Sequence, residues 1–171
     1  AKLEGDVNMR VIVEYGVFEF LSRVVVTDIR PDVLHYIQKS KASELNSWIK
    51  TQLDKIIDSE NELFKERLDN FFKGDETYKK ERLILKAASY LATKWEFAIV
   101  YQTSKFLEGI DELKAKVDEE IEDYFELASI KELLASTKLS KLIDLCGRLR
   151  FQRRWAQTQR IPQTNVLGHM L

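Results

Sequence analysis

Residues 77–106 read TYKKERLILKAASYLATKWEFAIVYQTSKF, a stretch without a glycine or a proline. Along it Leu83, Ile84, Ala87, Leu91, Trp95 and Ala98 recur mostly three and four positions apart. That spacing gathers them on one stripe of a helix, whereas a half-buried strand would need strict alternation. The spacing therefore predicts one long helix over 77–106, stopped by Gly109.

The same period extends outward in both directions. Val7 to Val26 reads as one helix with Val11, Tyr15, Phe18 and Ser22 near one face and Val13, Val17, Phe20 and Val24 near another. A helix apolar on several sides is expected to lie buried within its domain. Pro31 forbids its continuation and suits the first turn of a new helix through about Lys39. A further helix begins after Ser43, with Leu45, Trp48, Ile49, Leu53, Ile56 and Ile57 inward. Ser59 and Glu62 then make a plausible capping box for a helix carrying Leu63, Phe64, Leu68, Phe71 and Phe72, and Gly74 stops it. Beyond Gly109 an acidic helix is predicted over Glu112 to Leu127. Another follows over Ser136 to Trp155, with Leu139, Leu142, Ile143, Cys146 and Leu149 facing the core. Nothing reads as a strand, so the fold class is all-α.

Composition agrees with a folded chain. Of the 171 residues, 44% are hydrophobic and 32% charged, and only six Gly and two Pro punctuate them, which favours long helices over strand-and-turn architecture. No apolar run approaches the roughly 18–20 residues that span a bilayer, and the start lacks the apolar core of a signal peptide. Cys146 is the sole cysteine, so no intrachain disulfide forms, in keeping with a reducing, cytoplasmic location. Five of the 27 basic residues fall between Arg148 and Arg160, where no acid occurs, leaving 22 against 28 acidic residues elsewhere. A local arginine cluster on an otherwise acidic chain points to a small anionic ligand more than to a nucleic-acid track.

Arg150, Arg153 and Arg154 share a face if the helix continues through them, and their guanidinium forks could grip a phosphate. Trp155 could wall a base or sugar, and His169 near the chain end could ligate a metal. Taken singly, each feature has a plainer explanation: surface arginines are usually solvated or salt-bridged, a tryptophan usually packs, and a lone histidine is seldom a ligand. The run Glu119-Glu120 with Glu122-Asp123 reads as a solvated face. His35, beside Leu34 and Ile37, reads as a helix-surface or interhelix hydrogen-bonding residue, and Cys146 as an inert buried thiol.

Order and spacing add something to the separate pieces. The string Leu149-Arg150-Phe151-Gln152-Arg153-Arg154-Trp155, followed by Arg160-Ile161-Pro162-Gln163-Thr164-Asn165-Val166-Leu167-Gly168-His169, resembles the opening of HD-superfamily metal-dependent phosphohydrolases related to bacterial 5′-deoxynucleotidases. The resemblance implies that Arg154 and Trp155 contact nucleotide phosphate and sugar and that His169 is the first ligand of a divalent metal. It implies further ligands beyond Leu171, a second His, a His-Asp pair and a later Asp, around a metal that activates water.

An earlier segment, Val24-Val25-Val26-Thr27-Asp28-Ile29-Arg30-Pro31-Asp32-Val33, resembles the family stretch that follows the His-Asp pair. On that alignment Asp28 keeps a sugar-facing residue, but Glu19 and Phe20 stand at the His-Asp positions and Arg23 at that of the catalytic Glu. The stretch around Lys86-Ala87-Ala88-Ser89, where the last metal-binding Asp belongs, contains no acid. The resemblance thus implies a degenerate HD-like helical domain over 1–130 and the start of a second HD unit over 131–171. The implied parent hydrolyses a phosphomonoester such as a nucleoside 5′-monophosphate, with this portion inactive alone and no metal in the degenerate copy. The competing expectation is a catalytically dead helical module that binds nucleotide, regulates or dimerises.

Overall fold

The computed structural model describes residues 2–57, 61–74 and 76–153. Among these no strand occurs, and helices carry the fold as the periodicity predicts. They are α1 (Met9–Val25), α2 (Pro31–Ser40), α3 (Ala42–Ile56), α4 (Glu62–Lys73), α5 (Lys79–Thr103), α6 (Ile110–Glu119), α7 (Ala128–Ala135) and α8 (Thr137–Leu149). Single 3-10 turns stand at Lys2–Glu4, Glu76–Tyr78 and Glu120–Tyr124. Among the described residues, those of 6–86 form one compact unit, and 2–5 together with 87–153 form another. None of the described helices is long and apolar enough to cross a membrane.

In the unit of residues 6–86, α1 starts because Asn8 caps it, its side chain accepting from the Val11 amide at 3.3 Å. The Asn8 amide in turn donates to the Glu81 carboxylate at 2.8 Å. Two of the donors that a helix start leaves open are satisfied, one of them by a residue far along the chain. Val11, Tyr15 and Phe18 are fully buried and pack with Leu68, while Phe64, Phe71 and Phe72 close around them in edge-to-face contacts. A second cluster joins Val26 to Leu45, Ile49 and Leu53 of α3.

Three details of this unit differ from the sequence reading. The cap of α4 is Asn61, which accepts from the Phe64 amide at 3.1 Å, while Ser59 lies outside the described residues. Trp48, Ile56 and Leu63, expected to face inward, are exposed. So is the second face of α1: Val13, Val17, Phe20 and Val24 are 47–64% exposed. Helices α3 and α4 pack against α1, and the start of α5 reaches it through Glu81, Arg82 and Leu85, while the face of Val13, Val17, Phe20 and Val24 is left open.

Gly74 ends α4 as predicted, with φ at +69°, where a side chain would be strained. Arg82 completes that helix end. Its guanidinium donates to the Phe71 carbonyl at 3.0 Å and lies 4.8 Å from the centre of the Tyr15 ring, so the cation meets both the negative end of a helix and an aromatic face.

In the other unit, Tyr90 of α5 stacks on Tyr124 at 5.3 Å and donates to the Val117 carbonyl at 2.8 Å. The acidic helix expected over 112–127 is divided: α6 ends at Glu119 and a 3-10 stretch takes over. That tightening eclipses positions three apart, and Ile121 and Tyr124 are both buried by it. Helix α7 follows, with Ile130 inward and the Ser129 amide donating to the buried Glu4 carboxylate at 2.6 Å.

Helix α8 also ends earlier than expected. Its last turn tightens through bonds from Arg150 to Gly147 and from Phe151 to Arg148, and it closes at Leu149 instead of Trp155. Its packing edge is not the apolar one. Trp95 of α5 lies against Gly147, where a Cβ would fall 2.5 Å from Cε2 and closer still to Cζ2. Leu139, Leu142, Ile143 and Cys146 are consequently exposed, and only Leu149 is half-buried. The expectation of an inert, buried Cys146 is therefore corrected to a solvent-facing thiol.

Candidate interaction surface

Of the residues the sequence singles out for ligand binding, Arg154, Trp155 and His169 lie outside the described residues. Asp28 is described: it stands exposed in the turn between α1 and α2. The neighbouring arginines are engaged within the chain. Arg150 is ion-paired with Glu96, and Arg148 bonds Asp144 at 2.6 Å. Because α8 stops at Leu149, Arg150 and Arg153 do not stand on one continuous helix face.

The positions that the family resemblance sets against a metal-binding His-Asp pair lie on α1. Glu19 accepts from Arg23 at 3.3 Å, one turn along the helix, and Phe20 is 64% exposed. A single carboxylate with an arginine one turn away and a phenyl ring beside it is no ligand set for a metal, because Phe20 has no donor atom and Arg23 adds positive charge. Around 88, Ala87 is buried and Ala88 exposed, and neither has a donor side chain. These residues do not fit the metal that the family resemblance implies. Among the described residues generally, no cluster of three or more His, Cys, Asp or Glu side chains is placed to hold a metal ion.

What α1 presents instead is an apolar stripe. Met9, Val13, Val17, Phe20 and Val24 fall within an arc of about 80° at 100° per residue, directly opposite the buried Val11, Tyr15 and Phe18. At 1.5 Å rise the stripe is about 22 Å long. It is a single contiguous row, whereas isolated exposed apolar residues are ordinary on a protein surface.

Charged side chains border the stripe, and each has a partner in the chain. On one border Glu14 receives a two-pronged contact from Arg67 and a bond from Arg10 at 2.8 Å. Burial by itself pushes the Glu14 carboxyl up, but the hydrogen bonds from Arg67 and Arg10 outweigh it and hold the carboxyl below its ordinary range. The same contact raises Arg67. On the other border stand Glu19 and Arg23. The second border is thus neutral, and the first, with two arginines on one carboxylate, carries one net positive charge.

No family model, curated protein or solved structure matches the chain.

One cleft opens between α3 and α4, lined by Asp54, Lys55, Ile57, Lys65, Leu68 and Asp69. Its carboxylates are taken: Lys50 bonds Asp54 at 2.6 Å and Asp69 at 2.9 Å. The outward face of α1 is a contiguous exposed apolar row among the described residues of 6–86. Sequence reasoning missed it by placing both faces of α1 inward. The signal lay in the uninterrupted row Met9, Val13, Val17, Phe20 and Val24, which had no partner helix assigned.

Proposed function

We propose that residues 6–86 form a helical interaction module with no metal chemistry of its own, one that recognises a partner through the outward face of α1. The observation that carries this reading is the state of the degenerate positions. Phe20 stands within an exposed apolar stripe, and Glu19 is paired with Arg23. A surface of this kind loses free energy by staying in water and gains it by being covered. The test is phosphate release from nucleoside 5′-monophosphates by the chain with Mn²⁺, Co²⁺ or Zn²⁺ added. No turnover dependent on Glu19 is expected, and turnover abolished by Glu19→Ala would overturn the reading.

The run from Arg150 to His169 supports a second reading, for the parent and not for this module. On that reading the parent is a cytoplasmic HD-type phosphomonoesterase in which Arg154 and Trp155 hold a nucleotide or other small phosphorylated ligand and His169 begins the metal site. Asp28 then belongs to the degenerate copy alone. Replacing Arg154 and Trp155 by Ala is expected to abolish nucleotide binding by the chain, measured by calorimetry. Unchanged affinity would exclude a ligand role for the pair.

A further inference from the structure

We infer that residues 2–5 act as a strap whose Glu4 carboxylate keeps α7 helical and, through α7, holds the start of α8. The strap and both helices belong to the same compact unit, and the inference is independent of the α1 face.

Helix α7 has little of its own to keep it formed. It spans eight residues, Ala128–Ala135, and isolated helices below about 12–15 residues are marginal in water. Among its described side chains, Ile130 is the buried one. Its N-cap position is Leu127, which is buried and has no side-chain oxygen to accept from the opening amides. A helix start leaves such donors open, and a cap normally answers them from the adjoining sequence.

Glu4 supplies the acceptor from 125 residues away. The turn Lys2–Glu4 packs against α7, and Glu4, 6% exposed, accepts from the Ser129 amide at 2.6 Å. A carboxylate suits the place, because the bond is charge-assisted and the positive end of the helix dipole faces it. Gly5 then takes φ at +73°, a left-handed conformation that costs glycine little, and turns the chain away.

Opening of α7 reaches α8 because a single residue, Ser136, separates them. Its amide donates to the Glu132 carbonyl of α7 at 2.9 Å, its side chain accepts from the Leu139 amide at 3.3 Å, and its carbonyl accepts from the Ser140 amide at 3.1 Å. A helix of about two turns that loses its first turn keeps nothing to fix Ser136. The first turn of α8 then loosens, while the contact of Trp95 with Gly147 retains its other end. Local openings of this kind take less free energy than global unfolding.

Amide hydrogen exchange of the full chain, read by NMR, reports each helix separately. Glu4→Met keeps the bulk of the side chain without an oxygen, and Glu4→Gln keeps an acceptor without the charge. Exchange across 129–136 is expected to rise by about tenfold in Glu4→Met and by about threefold in Glu4→Gln. A smaller rise is expected at Leu139 and Ser140, and none in α1, α3 or α4. Leu3→Ala, at a side chain 55% exposed, should leave every helix as it is. Native exchange across 129–136 in Glu4→Met would mean that packing holds α7, and would overturn the inference. So would a rise spread evenly over 87–153, or one that leaves Leu139 and Ser140 unchanged. Should Glu4→Met not fold, Glu4→Gln decides: native exchange across 129–136 in that variant counts against the strap.

Discussion

Gly147→Ala tests how α8 is held. Alanine favours a helix interior over glycine by about 1 kcal/mol, and at an open site that gain would appear as added stability. At Gly147 the new methyl would sit on the Trp95 ring, 2.5 Å from Cε2 and 2.8 Å from Cη2. The indole would have to retreat by roughly 1 Å to reach ordinary carbon contact. Overpacking of this kind costs about 1–3 kcal/mol. The displacement also strains the Trp95–Phe151 stack at 6.0 Å and the weak bond from Trp95 Nε1 to Asp144 at 3.4 Å, the stack being worth about 0.5–1.5 kcal/mol. The net expectation is destabilisation of about 1–2 kcal/mol, a fall of about 2–8 °C in the melting temperature for a chain of this size. Thermal melts by circular dichroism, with tryptophan fluorescence alongside, give the readout. Gly16→Ala, whose Cβ would meet Leu85 Cδ1 at an ordinary 3.6 Å, supplies the matched control that should rise by about 2–4 °C. If Gly147→Ala raises the melting temperature as much as Gly16→Ala does, the Trp95 contact is not what positions α8.

Further outcomes follow from the same geometry. Glu14 has a folded pKa below its unfolded value, so its contribution is complete above the ordinary carboxylate range near 4.3 and is lost as pH falls through that range toward the folded pKa. The gap in melting temperature between the native chain and Glu14→Gln should therefore narrow between pH 6 and pH 3; a constant gap would contradict the pairing with Arg67. Phe18→Ala should cost about 3–5 kcal/mol by chemical denaturation, because Phe18 is fully buried. Phe20→Ala, two residues on but exposed, should change stability by less than about 0.5 kcal/mol. Cys146 should react with a thiol reagent in the native chain nearly as fast as in denaturant; strong protection would restore the buried assignment.

Much of the fold was legible because its signals are local. The period of residues 77–106, Pro31 opening α2 and Gly74 closing α4 each depend on a few neighbouring residues. Other features depend on partners far away in sequence. The carboxylates of Glu4 and Glu81 serve the helix starts at Ser129 and Asn8, and no local pattern announces them. Helix α7 is eight residues long with Ile130 inward, too short to show a period. The largest misreading concerned which apolar faces are covered. Val13, Val17 and Phe20 on α1 and Leu142 and Cys146 on α8 have the spacing of core residues, and spacing reports that a face is apolar without reporting that anything lies on it. On α8 the contact runs through Gly147, whose lack of a side chain looks in sequence like a weakness of the helix and in structure admits the Trp95 ring. Of the candidate ligand residues, Asp28 is the one the structure describes, and Arg154, Trp155 and His169 rest on the resemblance alone.

The reading of α1 as a surface for a partner instead of the wall of a metal site is tested most directly by Mn²⁺ binding, followed by calorimetry at neutral pH on the native chain and on Glu19→Ala. The two isotherms are expected to be indistinguishable, because Glu19 stands beside the Arg23 cation and its neighbour Phe20 offers no donor. A stoichiometric site present in the native chain and lost in Glu19→Ala would contradict it.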